Sequence, residues 1–222
     1  MNINSFEKII IITGHYGTGK TNLVINLAID LRVSGRDVVL ADMDVVNPYF
    51  RAADFGRFTE QYGLELIAPP YANSNLDLPT LTGAFDAKIG GNQTLILDVG
   101  GDDAGAVALG RFAPRIRALP YTMLCVVNRY RYLTEKPSQS LKMLKDIEAA
   151  SRIEVTALVN NSNLSYETTL SEVESSMEYA QETARICGKP LAFTSVRRDL
   201  YETLVDKRNC YPVDIYVKAP WM

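Results

Sequence analysis

The sequence predicts a doubly wound α/β protein, a mostly parallel sheet flanked by helices, built as one domain over residues 1–222. Three observations predict it. Short apolar, β-branched runs alternate with stretches of helical periodicity along the chain. A strand, a glycine-rich loop and a helix follow one another over residues 8–34. A further apolar run ends in aspartate at residues 94–98. At 222 residues the chain is long enough for one well-buried domain and short for two.

Lys8-Ile9-Ile10-Ile11-Ile12-Thr13 reads as a buried strand. Gly14-His15-Tyr16-Gly17-Thr18-Gly19-Lys20-Thr21 fits G-x-x-x-x-G-K-[ST], the phosphate-binding loop of nucleoside triphosphatases. Leu23, Val24, Leu27, Ala28 and Leu31 then share one helical face, and Gly35 ends the helix. The chemistry is anion binding. Glycines let backbone N–H groups curl around phosphate oxygens, and the helix N-terminus adds unpaired donors and its positive dipole end. Residues 14–21 are therefore expected to touch nucleotide, with Lys20 on the β- and γ-phosphates and the Thr21 hydroxyl on Mg²⁺. A bare match also arises by chance in glycine-rich turns, and the flanking strand and helix favour the functional reading.

Residues 37–42 read as the second strand, running into Asp42-Met43-Asp44-Val45-Val46-Asn47-Pro48. Two acidic residues two apart at a strand end point to the same side. One suits water activation and the other a metal-bound water, against the alternative of a polar turn capping a helix. Residues 64–68 read as a short strand stopped by Pro69-Pro70, and residues 71–91 as a polar stretch with Leu78, Leu81 and Phe85 at helical spacing. Thr94-Leu95-Ile96-Leu97-Asp98 has the Walker B form, so Asp98 is expected to hold Mg²⁺ through water. Gly100 and Gly101 can bring a backbone N–H to the γ-phosphate.

Residues 104–119 read as a helix interrupted at Pro114, and residues 121–127 as a buried strand ending at Asn128. Thr134 is expected to cap a helix to about residue 150, and residues 153–159 to form the next strand, ending in Asn160. Ser165 is expected to cap a helix to about Cys187, ended by Gly188 and Pro190. Residues 191–194 read as a short strand, 198–206 as a short helix, and 213–217 as an alternating, strand-like tail.

The totals exclude several classes. Net charge is −3 with no basic block, which argues against a dedicated nucleic-acid surface. The three cysteines, Cys125, Cys187 and Cys210, lie far apart without a C-x-x-C, so no zinc or thiolate-cluster site is legible. No apolar run reaches the roughly 18 residues that a membrane span needs. Residues 1–5 have neither a charged nor an apolar leader region. The expected location is cytoplasmic.

With these residues in view, the chain resembles the MinD/ParA branch of P-loop ATPases over roughly residues 8–205, through GHYGTGKT at 14–21, ADMDVVNP at 41–48 and LILDVGG at 95–101. The resemblance implies Mg²⁺ and ATP as ligands, Asp44 as the residue that activates the attacking water, Asp42 and Asp98 on the metal side, and a strand-end Asn that reads adenine. Asn160 matches that last position, and Asn128 competes for it. Neither strand end reads N-K-x-D, the guanine motif. The resemblance also implies an ATP-dependent homodimer and a protein partner. One departure stands out. The family places a second Lys in the loop, whereas this chain has His15 there and Tyr16 next to it. His15 is then a partial substitute, a nucleotide contact or a plain loop residue.

The expected function is a slow Mg²⁺-ATPase used as a nucleotide-dependent switch. The alternatives are a small-molecule ligase or kinase resembling dethiobiotin synthetase or cobyric acid synthase, and a nucleotide-binding module that does not hydrolyse.

Overall fold

A computed structural model describes residues 3–43, 59–67, 83, 85–101 and 103–217. Eight strands form one sheet in the order β3-β2-β4-β1-β5-β6-β7-β8. They are β1 (Ile9–Thr13), β2 (Val38–Asp42), β3 (Glu65–Ile67), β4 (Thr94–Asp98), β5 (Tyr121–Val127), β6 (Ala157–Asn160), β7 (Leu191–Arg197) and β8 (Cys210–Val213). Every pairing is parallel. The helices are α1 (Lys20–Val33), α2 (Asp103–Gly110), α3 (Ala113–Arg117), α4 (Pro137–Ser151), α5 (Leu170–Cys187) and α6 (Arg198–Thr203).

The sheet is covered on both faces, which is why its strands read as continuous apolar runs rather than alternating ones. Alternation survives only in which layer each residue enters. Ile10, Ile12, Ile96, Leu124 and Val126 pack with Leu23, Leu27 and Leu31 of α1. Ile9, Ile11, Leu95, Leu97, Met123 and Cys125 pack on the other face with Leu109, Ile116, Leu144, Ile147 and Tyr179. Full burial pushes the Cys125 thiol up to about 12, so it is an inert core residue.

The strand order places the site. β1 sits between β4 and β5, so the chain first winds outward through β2 and β3, returns by β4, and continues on the other side through β5 to β8. The reversal falls at β1. In an open parallel sheet, the crevice for a ligand opens beyond the strand ends at such a reversal. Residues 14–19 leave β1 at that point.

Several element boundaries differ from the sequence reading. Thr134 does not cap α4. It is buried, its hydroxyl donates to the Asn128 carbonyl at 2.7 Å, and α4 starts at Pro137, a residue whose missing N–H is no loss in a first turn. Ser165 does not cap α5 either, but takes φ +58 in a 3₁₀ turn. Thr169 caps α5, and the Thr169 N–H donates to Glu172 at 2.8 Å, so the T-x-x-E signal of a capping box was present in the sequence. The strand expected from residue 153 begins at Ala157, and Thr156 instead exchanges hydrogen bonds with Met123. The expected tail strand at 213–217 ends at Val213. Among the described residues no helix is long and apolar enough to cross a membrane.

Candidate nucleotide site

The loop between β1 and α1 closes on itself. The Thr18 N–H and hydroxyl both donate to the His15 carbonyl, at 3.2 and 2.8 Å, and Lys20 Nζ donates to the same oxygen at 3.4 Å. Thr18 and Lys20 are buried, and His15 lies beside them with Nδ1 at 3.0 Å from the Tyr16 carbonyl oxygen. Tyr16 is exposed. Gly19 caps α1 at φ +86, a left-handed conformation that a side chain resists. Gly14, at φ +144, has no room for one: a Cβ there would stand 2.4 Å from the Val126 carbonyl oxygen.

Two neighbouring strand ends press on this loop. Gly101 follows β4, and a Cβ on it would lie 2.2 Å from the Gly14 carbonyl oxygen, so backbone meets backbone. Asn161 follows β6 and its Nδ2 donates to the Thr18 carbonyl at 2.6 Å, while the Ser195 hydroxyl of β7 donates to its Oδ1.

The expected metal side is assembled across three elements. The Thr21 hydroxyl, in the first turn of α1, donates to Asp98 Oδ2 at 2.6 Å. Asp98 is buried at the end of β4, and Asp42 is its register partner at the end of β2. A hydroxyl and carboxylates are hard oxygen donors, the set that suits Mg²⁺ when phosphates and waters complete an octahedron. Among the described residues no three His, Cys, Asp or Glu cluster. The donors present fit a magnesium that arrives with a phosphate. Asp44 lies outside the described residues, as does Asn47.

A cleft of about 330 Å³ opens beside the loop, lined by Gly17, Gly19, Lys20 and Thr21. It is lined as well by Asn161, Ser162 and Asn163, by Ser195 and Val196, and by Val213, Ile215 and Val217. Asn160 does not line it. That side chain is fully buried, donating to Ser176 Oγ at 2.9 Å and to Thr194 Oγ1 at 3.3 Å, and accepting from Ser162. Asn128 is also buried, between the Tyr130 N–H and the Asn163 carbonyl. The structure thus places the neighbour, Asn161, at the cleft.

Sequence reading missed Asn161, Ser195, Asn22 and residues 213–217. Asn161 is one position beyond Asn160, and one step in a strand reverses the side-chain direction. Asn22 and Asn26 sit one helical turn apart on α1 and hold the segment after β8. Both donate to the Asp214 carbonyl at 2.9 Å, Asn26 Oδ1 accepts from the Asp214 N–H at 2.8 Å, and Asn22 Oδ1 accepts from the Tyr216 N–H at 2.8 Å. No local pattern announces this strap.

No family model and no curated protein matches the chain. Solved structures do. The cell division protein FtsY from Thermotoga maritima is similar at 21% identity and TM-score 0.60, covering 85% of this chain and 61% of that one. FtsY from Mycoplasma mycoides is similar at 17% identity and TM-score 0.56, covering 86% and 62%. The Signal Recognition Particle 54 kDa protein from Aeropyrum pernix, solved in complex with GDP, is similar at 15% identity and TM-score 0.53, covering 84% and 40%. The chain spans about three fifths of the length of the two FtsY structures. These neighbours stand on a different branch from MinD/ParA, whose assignment gains no support from them. At such identities the likeness carries the architecture, and with the parallel sheet and the loop at its reversal point it gives the chain the α/β P-loop fold.

Proposed function

We propose that the chain binds a magnesium–nucleoside triphosphate in this cleft, hydrolyses it slowly and uses it as a switch. The observation that carries the reading is the Thr21–Asp98 hydrogen bond beside the closed loop, which brings the two expected metal-side groups together on separate elements. Lys20 binds the β- and γ-phosphates. Thr21, Asp98 and Asp42 would hold Mg²⁺, which supplies charge neutralisation at the transferred phosphoryl group. Asp44 is proposed to position the attacking water. Gly101, packed on Gly14, ties the chain after β4 to the loop, which gives the γ-phosphate a route to residues beyond it.

For the base we propose adenine. Guanine presents two adjacent donors on its pairing edge, which a carboxylate accepts best. Among the described residues that line the cleft there is no Asp or Glu. Asn, Ser and backbone groups line the base end, and these suit adenine's donor and acceptor pair.

The test is titration calorimetry and phosphate release with MgATP and MgGTP, on the wild type and on Lys20→Ala. ATP binding that Lys20→Ala removes supports the reading. Unchanged affinity in that variant overturns it, and a preference for GTP overturns the base. Molar mass in MgADP and in MgATP with Asp44→Ala then tests an ATP-dependent homodimer: equal masses remove it. Phosphate release that appears only with an added metabolite would mean a ligase or kinase.

A further inference from the structure

Resting on that reading, we propose that Arg131 is a second phosphate-binding cation of the site, supplied in cis by the loop after β5. The loop residues 14–21 contain a single fixed cation, Lys20. A magnesium–triphosphate complex remains anionic after one lysine has bound it. Arg131 lies against the loop: a Cβ at Gly17 would stand 3.8 Å from both its Cδ and its Nε. It lines the cleft together with Gly17, Gly19, Lys20 and Thr21.

Its neighbours among the arginines are committed elsewhere. Arg129 donates to the Ser175 carbonyl at 2.7 Å and lies 5.6 Å from the Tyr130 ring centroid. Arg197 pairs with Asp199 at 2.6 Å. Among the described residues the Arg131 guanidinium has no hydrogen-bond or ion-pair partner, although its backbone is held on both sides. The Arg131 N–H donates to the Asn128 carbonyl at 3.0 Å, and the Thr134 N–H donates to the Arg131 carbonyl at 3.1 Å. The Arg129 N–H donates to Ser162 Oγ at 3.0 Å. Leu133 sits at φ +68, a conformation a leucine adopts only where its surroundings impose it. A pinned backbone presenting an uncompensated, forked cation to a phosphate loop is a pre-organised anion contact.

In hydrolysis the water oxygen bonds to the γ-phosphorus as the bond to the β–γ bridging oxygen breaks. The water's protons end on the released phosphate and the medium, and the bridging electron pair stays on the β-phosphate. Arg131, beside Gly17, would donate hydrogen bonds to the oxygens where that charge collects.

The experiment compares wild type with Arg131→Ala and Arg131→Lys, using MgATP, MgADP, AMP and adenosine as probes in binding and MgATP in turnover. Arg131→Ala is expected to lower turnover by about 10- to 1,000-fold, and to weaken MgATP about tenfold or more while leaving adenosine unchanged. Arg131→Lys should recover part, because charge returns without the fork. The thermal midpoint without nucleotide should not move. Where turnover is absent altogether, the ratio of ATP to adenosine affinity decides. Turnover and ATP affinity within twofold of wild type overturn the proposal, as does equal weakening of ATP and adenosine. If Lys20→Ala abolishes binding while Arg131→Ala changes nothing, only Arg131 falls. A wild type that binds neither MgATP nor MgGTP overturns the site itself, and Arg131 with it.

Discussion

The proposed phosphate end of the cleft comes from one contiguous stretch, residues 14–21, closed by two glycine-permitted approaches and one carboxylate. The proposed base end comes from three places far apart in sequence: residues 161–163, residues 195–196, and the strap at 213–217. The phosphate end is held by backbone turning on itself. The base end is held by side-chain amides, with Asn161 reaching the loop and Asn22 and Asn26 reaching the strap. Phosphate is the same in every nucleotide, so a short local motif suffices for it. A base pocket has to be enclosed, and in the proposed site the residues after β6, in β7 and after β8 would enclose it.

The comparison can be broken by substitution. The largest effect is expected from Lys20→Ala, about 100-fold or more in MgATP affinity by calorimetry, since it removes a charge-assisted contact from a buried loop. An effect below threefold would mean the loop is not the phosphate site. Gly14→Ala and Gly101→Ala come next, at about 3 kcal/mol of stability in denaturant titration, because the added methyl meets backbone that cannot swing away. Gly35→Ala is the control. It has left-handed φ but open space within 4 Å, so only the backbone strain of about 1 kcal/mol remains.

Asn161→Ala is expected to cost about 1–3 kcal/mol, since it leaves the Thr18 carbonyl and the Ser195 hydroxyl without this partner. It should also weaken ATP binding, because the amide joins the two ends of the cleft. Asn26→Ala should cost about 1–2 kcal/mol and loosen the strap, read as faster hydrogen exchange at Asp214. Unchanged exchange there would show that Asn22 and Arg198, which pairs with Asp214 at 2.8 Å, hold the strap without Asn26.

The smallest effect is a pH slope. Cys125 is neutral when folded up to about 12, against 9.0 ordinarily. Above pH 9 the unfolded chain loses this proton and the folded chain keeps it. Stability is therefore full below pH 9 and falls towards pH 12, by at most about 1.4 kcal/mol per pH unit. Urea midpoints between pH 8 and 10.5 should fall less steeply in Cys125→Val than in wild type. Equal slopes would remove this thiol as the cause.

The strands were legible because burial on both faces makes most of their residues apolar, as in Ile9-Ile10-Ile11-Ile12. The caps were misplaced where side chains had tertiary partners. Thr134 looks like a cap in sequence, yet it is buried under the loop that carries Arg131 and bonds to Asn128. Asn160 and Asn161 are indistinguishable as letters, and the strand's alternation sends one into the core and the other to the cleft.

The sequence by itself determined the alternation of strands and helices, the phosphate loop and the carboxylate at the end of β4, because each rests on neighbours along the chain: periodicity, glycine conformation and residue type. Only the tertiary structure decided which asparagine faces the cleft, that Asn22 and Asn26 hold residues 214–217, and that Arg131 lies over Gly17. Those pairings span from about 114 to about 190 residues of sequence, and no local propensity encodes a contact whose second half is supplied by another strand's end.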